Sequence, residues 1–305
     1  MSDDQPIPVA RPIERRSVTQ RLVERWDAAP DAGTAVAPAL AGSAGATQDA
    51  IAVEEPLEIR IAGDSLATIM RTPGEDHLLV AGFLFTEGII TSLADLGRVA
   101  HCGRPSATGY GNLVDVAPGP GTSLAPELAQ HSRRNNLVGS ACGVCGRERV
   151  DDLIDRLGRV RDEPHIRAAL IARSVEQLQA RQAGFARTGA MHGALALSSD
   201  GTELAAGEDV GRHNAVDKVI GKLLHAGQIG PQREHAALLV VSGRASFEIV
   251  QKAAAARIGM VVSVSAPTSL AVDLAVRTGI TLAGFARGAK FNVYSHSQRI
   301  IVDYK

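Results

Sequence analysis

The sequence is poor in aromatic residues. They make up 3% of its 305 residues, with one Trp, three Tyr and six Phe. That argues against a surface that grips nucleic acid by stacking bases. Net charge is nearly absent too, with 32 Lys and Arg against 33 Asp and Glu. No overall field draws the chain to nucleic acid or to an anionic membrane. No apolar run is long enough to span a bilayer, and none follows a basic start as a secretory leader would. Three cysteines cannot build a disulfide framework. The expectation is a cytoplasmic chain without nucleic-acid or membrane partners, where closely spaced cysteines are functional rather than structural. Hydrophobic residues make up 45%, enough for a large core or two smaller ones.

Two of the three cysteines fall in Gly139-Ser-Ala-Cys142-Gly-Val-Cys145-Gly146. Arg147 and Arg149 follow, and then Val150, Leu153, Ile154 and Leu157 recur at helical spacing. The stretch reads as a glycine-flanked loop running into a helix. Helix dipole and cations both favour thiolate over thiol there. Three chemistries fit. A structural metal knuckle needs a full tetrahedral set of nitrogen and sulfur ligands, and Cys102 is the only other sulfur of its kind. A redox pair usually follows a strand of a small thioredoxin-like unit, which the pattern lacks. A nucleophilic or sulfur-carrying thiol suits glycines that let the backbone swing. Spacing alone does not separate the three.

Residues 1–50 read as weakly ordered. Arg15–Trp26 is compatible with a short helix or strand, and Ala28–Ala50 shows no periodicity. Residues 51–135 read as a small mixed α/β domain. Its strands are Leu57–Ile61, Leu66–Met70, Arg98–Cys102 and Asn112–Val116, with a helix over Glu75–Phe85. Cys102 is expected as a buried structural thiol. Residues 136–160 hold the cysteine loop and its helix. Residues 161–305 alternate strand and helix. A helix is expected over Glu176–Arg187, a strand pair over 190–197 and 202–206, a helix over Arg212–His225, and then further strand–helix units. This predicts a mixed, mostly parallel sheet with helices on both faces, a three-layer sandwich. The order also matches a cytidine-deaminase-like fold.

Ligands of open α/β sheets sit outside the carboxyl ends of the strands. Three such ends are suggestive: Ser242-Gly243-Arg244, Ser265 to Thr268, and Phe285-Ala286-Arg287-Gly288-Ala289-Lys290. Small residues, helix starts and cations together point to a phosphate-bearing ligand. Gly207–Lys218 is the densest polar cluster. Asp209, His213 and Asp217 recur one helical turn apart and share a face if the helix begins early. Asp209, His213 and Asn214 are expected to wall the pocket. His192 opens a strand. With Cys142 and Cys145 it would complete a zinc set, but the deaminase signature is missing. The cysteines precede the histidine, no proline precedes Cys142, and His192-Gly193-Ala194 lacks the glutamate. No resident metal is expected.

Taken together, these motifs resemble the formate dehydrogenase accessory sulfurtransferase family (FdhD/NarQ). The matching pieces are Arg71–Gly74, Gly82–Gly88, Cys142–Gly146, Thr188–His192, Gly207–Lys218, Ser242–Phe247, Ser265–Ser269 and Gly284–Gly288. The likeness runs from about Leu57 to the C-terminus. It implies a homodimeric sulfurtransferase of cytidine-deaminase-like fold with a smaller extra domain. Such a protein takes persulfide sulfur from a cysteine desulfurase and passes it to the bis-molybdopterin guanine dinucleotide molybdenum cofactor of formate dehydrogenase. The carrier cysteine would be Cys142, with Cys145 as its companion. The cofactor-contact segment would be Phe285–Lys290, and GDP-like ligands would mimic the cofactor. A cofactor-binding chaperone with purely structural cysteines is the alternative.

Overall fold

The computed structural model describes residues 17–25, 45–103, 111–124, 147–160, 165–230, 233–234 and 236–302. Cys142 and Cys145 lie outside the described residues. Strands β1 (Val18–Arg25) and β2 (Gly45–Ala52) pair antiparallel along their whole length. Residues 45–50, expected to be irregular, thus belong to a ribbon.

A four-stranded sheet follows, formed by β3 (Glu55–Ile61), β4 (Asp64–Arg71), β5 (Leu96–His101) and β6 (Leu113–Pro118). Its order is β4-β3-β6-β5, with β3 and β6 parallel. Alternation in β3 buries Leu57, Ile59 and Ile61, the period of a half-buried strand. They pack with Val114, Val116 and the Leu79, Val80 and Leu84 face of α1 (Asp76–Thr86). The β3–β4 turn is the two residues Ala62-Gly63, both at positive φ. That is the turn whose twist matches a hairpin. Cys102 lies just past β5 and is half-buried, not buried as expected.

The larger unit begins with α2 (Arg147–Leu157), whose Leu153, Ile154 and Leu157 are buried. A two-residue strand β7 (Ile166–Arg167) leads into α3 (Ala168–Ala180). The expected helix over 176–187 is two helices: α3 ends at Ala180, and α4 (Ala183–Thr188) starts afresh. Then come β8 (His192–Leu197), β9 (Glu203–Asp209) and α5 (Arg212–His225). After two short strands, β10 (Ile229–Gly230) and β11 (Arg233–Glu234), the series continues with β12 (Leu238–Val241), α6 (Phe247–Ala255) and β13 (Met260–Ser263). It ends with α7 (Ser269–Thr278), β14 (Thr281–Arg287) and β15 (Lys290–Ser295).

The six strands order as β15-β14-β13-β12-β8-β9. The β12–β13 and β13–β14 pairings are parallel, and the β8–β9, β8–β12 and β14–β15 pairings are antiparallel. The sheet is therefore mixed but not mostly parallel as expected: two of its five pairings are parallel and three antiparallel, because β8–β9 and β14–β15 are hairpins and β8 runs against β12. Alternate residues feed opposite cores. Ala194, Ala196, Leu239, Val241, Val261 and Leu282 face α5, α6, α7 and α2. Leu195, Leu197, Leu238, Val240 and Val262 face α3. Both sides are covered, so the strands are near-continuous apolar runs.

The two units meet where α1 crosses α5. A Cβ on Gly82 would fall 1.9 Å from the Asp217 carbonyl oxygen, and one on Gly221 would fall 2.0 Å from that of Leu78. Only glycine permits this backbone contact.

Candidate functional site at the carboxyl edge of the sheet

Parallel strands bring the turns after β12, β13 and β14 to one edge. Antiparallel β8 starts at the same edge, and β9 ends there, with His192 opposite Asp209. The N-termini of α5, α6 and α7 therefore converge on this edge.

The turns are laced together. Gly193 N–H donates to Ser242 Oγ at 2.9 Å, and Ser242 N–H donates to the Gly193 carbonyl at 3.0 Å. Buried Ser263 donates its hydroxyl to the Gly243 carbonyl at 2.7 Å and accepts from Ser265 N–H at 3.1 Å. Ala245 N–H donates to the Ala266 carbonyl, and Thr268 N–H donates to that of Ala245. Thr268 caps α7 by accepting from Ala271 N–H at 3.4 Å. Phe285 N–H donates to the Ser265 carbonyl at 3.0 Å. These bonds fix Ser242, Gly243, Ser265, Thr268 and Phe285 in one rim.

Phe285 is half-exposed and has φ 52, unusual for an aromatic residue. The conformation belongs to an irregularity in the β14–β15 ladder between Gly284 and Arg287. There Gly284 backs onto Pro267, whose Cδ would be 3.0 Å from an added Cβ. The hairpin beyond it presents exposed Arg287, Gly288, Ala289 and Lys290, while Ala286 is buried.

Asp209 and Asn214, expected to line a pocket, stand behind its wall. Asp209 is fully buried and pairs with Lys218 Nζ at 2.7 Å. It accepts from Thr72 N–H at 3.1 Å, Gly211 N–H at 2.9 Å and Asn214 Nδ2 at 2.9 Å. Asn214 also donates to the Met70 carbonyl at 2.7 Å. Their polar atoms tie β4 and the Arg71–Gly74 turn to the large sheet. The shared helix face expected for Asp209, His213 and Asp217 does not form. Gly211 is the N-cap of α5, and Asp209 is still in β9.

His213 does reach the rim. Its Nε2 lies 2.7 Å from Glu248 Oε2 and 3.2 Å from Ser246 Oγ. Ser246 sits at the N-cap position of α6 with its hydroxyl turned to His213. The bond from His213 holds the Glu248 carboxyl below its ordinary value. His192 is half-buried beside Gly243. Burial, then the cations Arg212, His213 and Arg244, hold its imidazole below the ordinary range. Arg212, Ser263 and Glu248 escaped the sequence reading. The available signal was the one-turn spacing His213/Asp217 in α5 set against Glu248/Lys252 in α6, two opposite-charge rungs. The edge thus offers hydroxyls, backbone N–H groups and the cations Arg212, Arg244, Arg287 and Lys290, a donor set suited to phosphate oxygens. Among the described residues no cluster of His, Cys, Asp and Glu could hold a metal ion.

Comparison with known proteins bears on what this edge serves. The family model described as FdhD/NarQ matches residues 52–301. A protein of Anaeromyxobacter dehalogenans named sulfur carrier protein FdhD is 52% identical over 276 residues, 90% of this chain and 96% of its own. One of the same name from Streptomyces avermitilis is 43% identical over 268 residues, 85% of this chain and 92% of its own. In fold, the chain is similar to a crystal structure from Desulfotalea psychrophila, described as a formate dehydrogenase accessory protein. The TM-score is 0.66 at 22% identity, covering 93% of this chain and 98% of that one. The matched span holds both sheets and the rim of the larger one, and by it the chain belongs to the FdhD/NarQ family.

Proposed function

We propose that this protein carries sulfur to the molybdenum cofactor of formate dehydrogenase. The observation that carries the reading is the likeness, over nine-tenths of the chain, to proteins named sulfur carrier. Cys142 is the carrier. Its thiolate attacks the outer sulfur of a cysteine desulfurase persulfide. The donor's sulfur–sulfur bond breaks, the desulfurase leaves as its thiolate, and Cys142 holds the new persulfide. Cys145 assists transfer or resolves Cys142. The sulfur–sulfur bond then breaks, Cys142 leaves as its thiolate, and the outer sulfur passes to the bis-molybdopterin guanine dinucleotide cofactor, the substrate of the second half-reaction, whose reduced metal supplies the two electrons that take it to sulfide.

The described residues fit such a substrate. Arg212 Nε is buried without a hydrogen-bond partner among them, and Gly243 leaves an open cradle beside His192. Guanine dinucleotide diphosphates suit a rim of N–H groups, Ser242, Arg244, Arg287 and Lys290. The formate dehydrogenase catalytic subunit receives the cofactor. A homodimer, a cytoplasmic site of action and a cytidine-deaminase-like assignment of the larger unit belong to the same reading.

Intact-mass spectrometry after incubation with a cysteine desulfurase and cysteine tests it. Wild type should gain one sulfur atom, and Cys142→Ala should gain none. No gain in wild type, with the desulfurase active on another acceptor, overturns the carrier role. A cofactor escort with structural cysteines would then remain.

A further inference from the structure

The ribbon β1–β2 stands outside both large sheets. Its ladder runs from Val18 opposite Ala52 to Arg25 opposite Gly45. β2 is the strand that packs on another element, the six-residue helix α4. At about 1.5 Å per residue that helix is about 9 Å long, against about 26 Å for a strand of this length. So α4 supports about a third of the ribbon. A two-stranded ribbon without cover along its length is marginal in water.

Its faces decide what would complete it. Residues directly opposite share a face. Leu22 sits opposite Gln48 and beside Gln20 on one face. On the other, the Arg21–Asp49 pair separates Val23 from Ile51. Neither face is a continuous apolar stripe that a core or an amphipathic helix would bury. The unmet groups are those of the main chain. Among the described strands β1 pairs with β2 alone, so its outer edge presents N–H and carbonyl groups to another strand.

We propose that β1 pairs antiparallel with β1 of a second copy, in a register centred on Leu22, and that two chains associate through the resulting four-stranded sheet. This gives the homodimer of the reading above a surface, and it does not depend on the sulfur chemistry. The two-fold axis of such a pair sets one residue opposite its own copy. Centred on Leu22, the pairing spans Thr19–Arg25 and sets Arg21 against Val23 of the second copy. It also brings Leu22, 73% exposed and the most exposed large apolar side chain among the described residues, against its own copy. Centred on Arg21, like charges would stand directly opposite, which is destabilising. Centred on Val23, only Arg21–Arg25 would pair. A second copy brings an edge of the same length with the same open groups, so each chain satisfies the other. The outer strands of the four are then the two β2, each already against its own α4.

Light scattering after size exclusion, with peptide mapping under non-reducing conditions, tests this on the full chain. Wild type should have the mass of two chains. Leu22→Cys should form, under mild oxidation, a disulfide joining position 22 of one chain to position 22 of the other. Their Cα atoms would lie about 4.5–5.5 Å apart, within the span a disulfide bridges. Thr19→Cys should form no such bond, since its own copy would be roughly 20 Å away along the strand. Leu22→Lys sets two cations on the axis and should weaken association about tenfold, while circular dichroism stays that of wild type because no buried side chain is lost. A monomer at every concentration overturns the inference and the homodimer with it. A dimer without the disulfide at position 22, a disulfide formed equally well from position 19, or a dimer that Leu22→Lys leaves as tight as before overturns the ribbon pairing and leaves the homodimer to another surface. A ribbon-paired dimer that fails to accept sulfur keeps this inference and removes the carrier role.

Discussion

Two sets of charges lie one helical turn apart and follow opposite rules. At the seam between the two sheets every buried charge is matched. Lys252 Nζ is 2.9 Å from Asp217 Oδ1 and 2.9 Å from Thr86 Oγ1, with Glu87 at 3.8 Å. Burial works against the Lys252 charge, but Asp217 and Glu87 outweigh it and raise its value above that of an ordinary lysine. Lys218 meets Asp209, and Arg71 meets Asp76 through two bonds of 2.9 and 3.0 Å. At the rim, Arg212 and Arg244 have no such partner among the described residues, and His192 faces them. A charge taken out of water needs a partner. Where the fold leaves cations without one, beside a glycine cradle and half in solvent, the proposed function sets the anion of its substrate.

The strongest way to break that contrast is at the seam. Lys252→Met leaves Asp217 buried without its cation. The expected loss is about 3–5 kcal/mol, read from denaturant unfolding. Adding Asp217→Leu should return much of it, since an apolar pair of similar volume needs no partner. GDP affinity of the folded fraction should not change. A loss below about 1 kcal/mol would show that water reaches the pair and that the seam is not the closed lattice described here. Next in size is Gly82→Ala. Its Cβ would sit 1.9 Å from the Asp217 carbonyl oxygen, so α1 and α5 must part. Overpacking of this kind costs about 1–3 kcal/mol, and it should show in the same unfolding curves.

Much of the larger unit was legible before any coordinates. The helix over Arg212–His225 and the strand–helix alternation follow from apolar periodicity and local start signals, which depend on neighbours in the chain. The rim turns were legible for the same reason. What failed were statements about partners. Asp209, Asn214 and Asp217 are polar residues in a glycine-punctuated segment, and nothing local says that Thr72, Met70 or Thr86, more than 130 residues away, will satisfy them. Arg212 was passed over because an arginine at a helix start usually reads as a solvated charge. Its meaning comes from Gly243 across the sheet. The ribbon residues 45–50 carry no apolar alternation, and their strand is defined only by pairing with β1.

A smaller effect separates the two regions by pH. His77 and His225 meet edge to face across α1 and α5, with ring centroids 6.0 Å apart. Burial lowers both imidazoles, and for His77 the charge of His225 adds to it; His192 at the rim is lowered as well. A histidine depressed in the fold binds fewer protons folded than unfolded. Stability is therefore full above the unfolded value of 6.5 and falls as pH drops below it. Thermal midpoints should be level from pH 7 to 8 and decline from roughly 6.5 to 5, the range in which an unperturbed imidazole charges. His77→Gln should flatten part of that decline.

The smallest expected change in stability is at Arg244, and it sharpens the contrast most. Arg244 is exposed, is bonded to no other described side chain, and follows the rigid Ser242–Gly243 turn that Gly193 and Ser263 hold in place. Arg244→Ala removes one cation and no packing. The thermal midpoint should move by no more than about 1–2 °C, as for surface changes away from special features. GDP binding should weaken and become less sensitive to salt, since one phosphate partner and its screened attraction are gone. The imidazole of His192, relieved of one neighbouring cation, should rise toward its ordinary value in the free protein. NMR titration of His192 reads that shift. If Arg244→Ala instead melts the protein, the rim is part of the lattice that holds the sheets together, and the division between matched and unmatched charge is wrong.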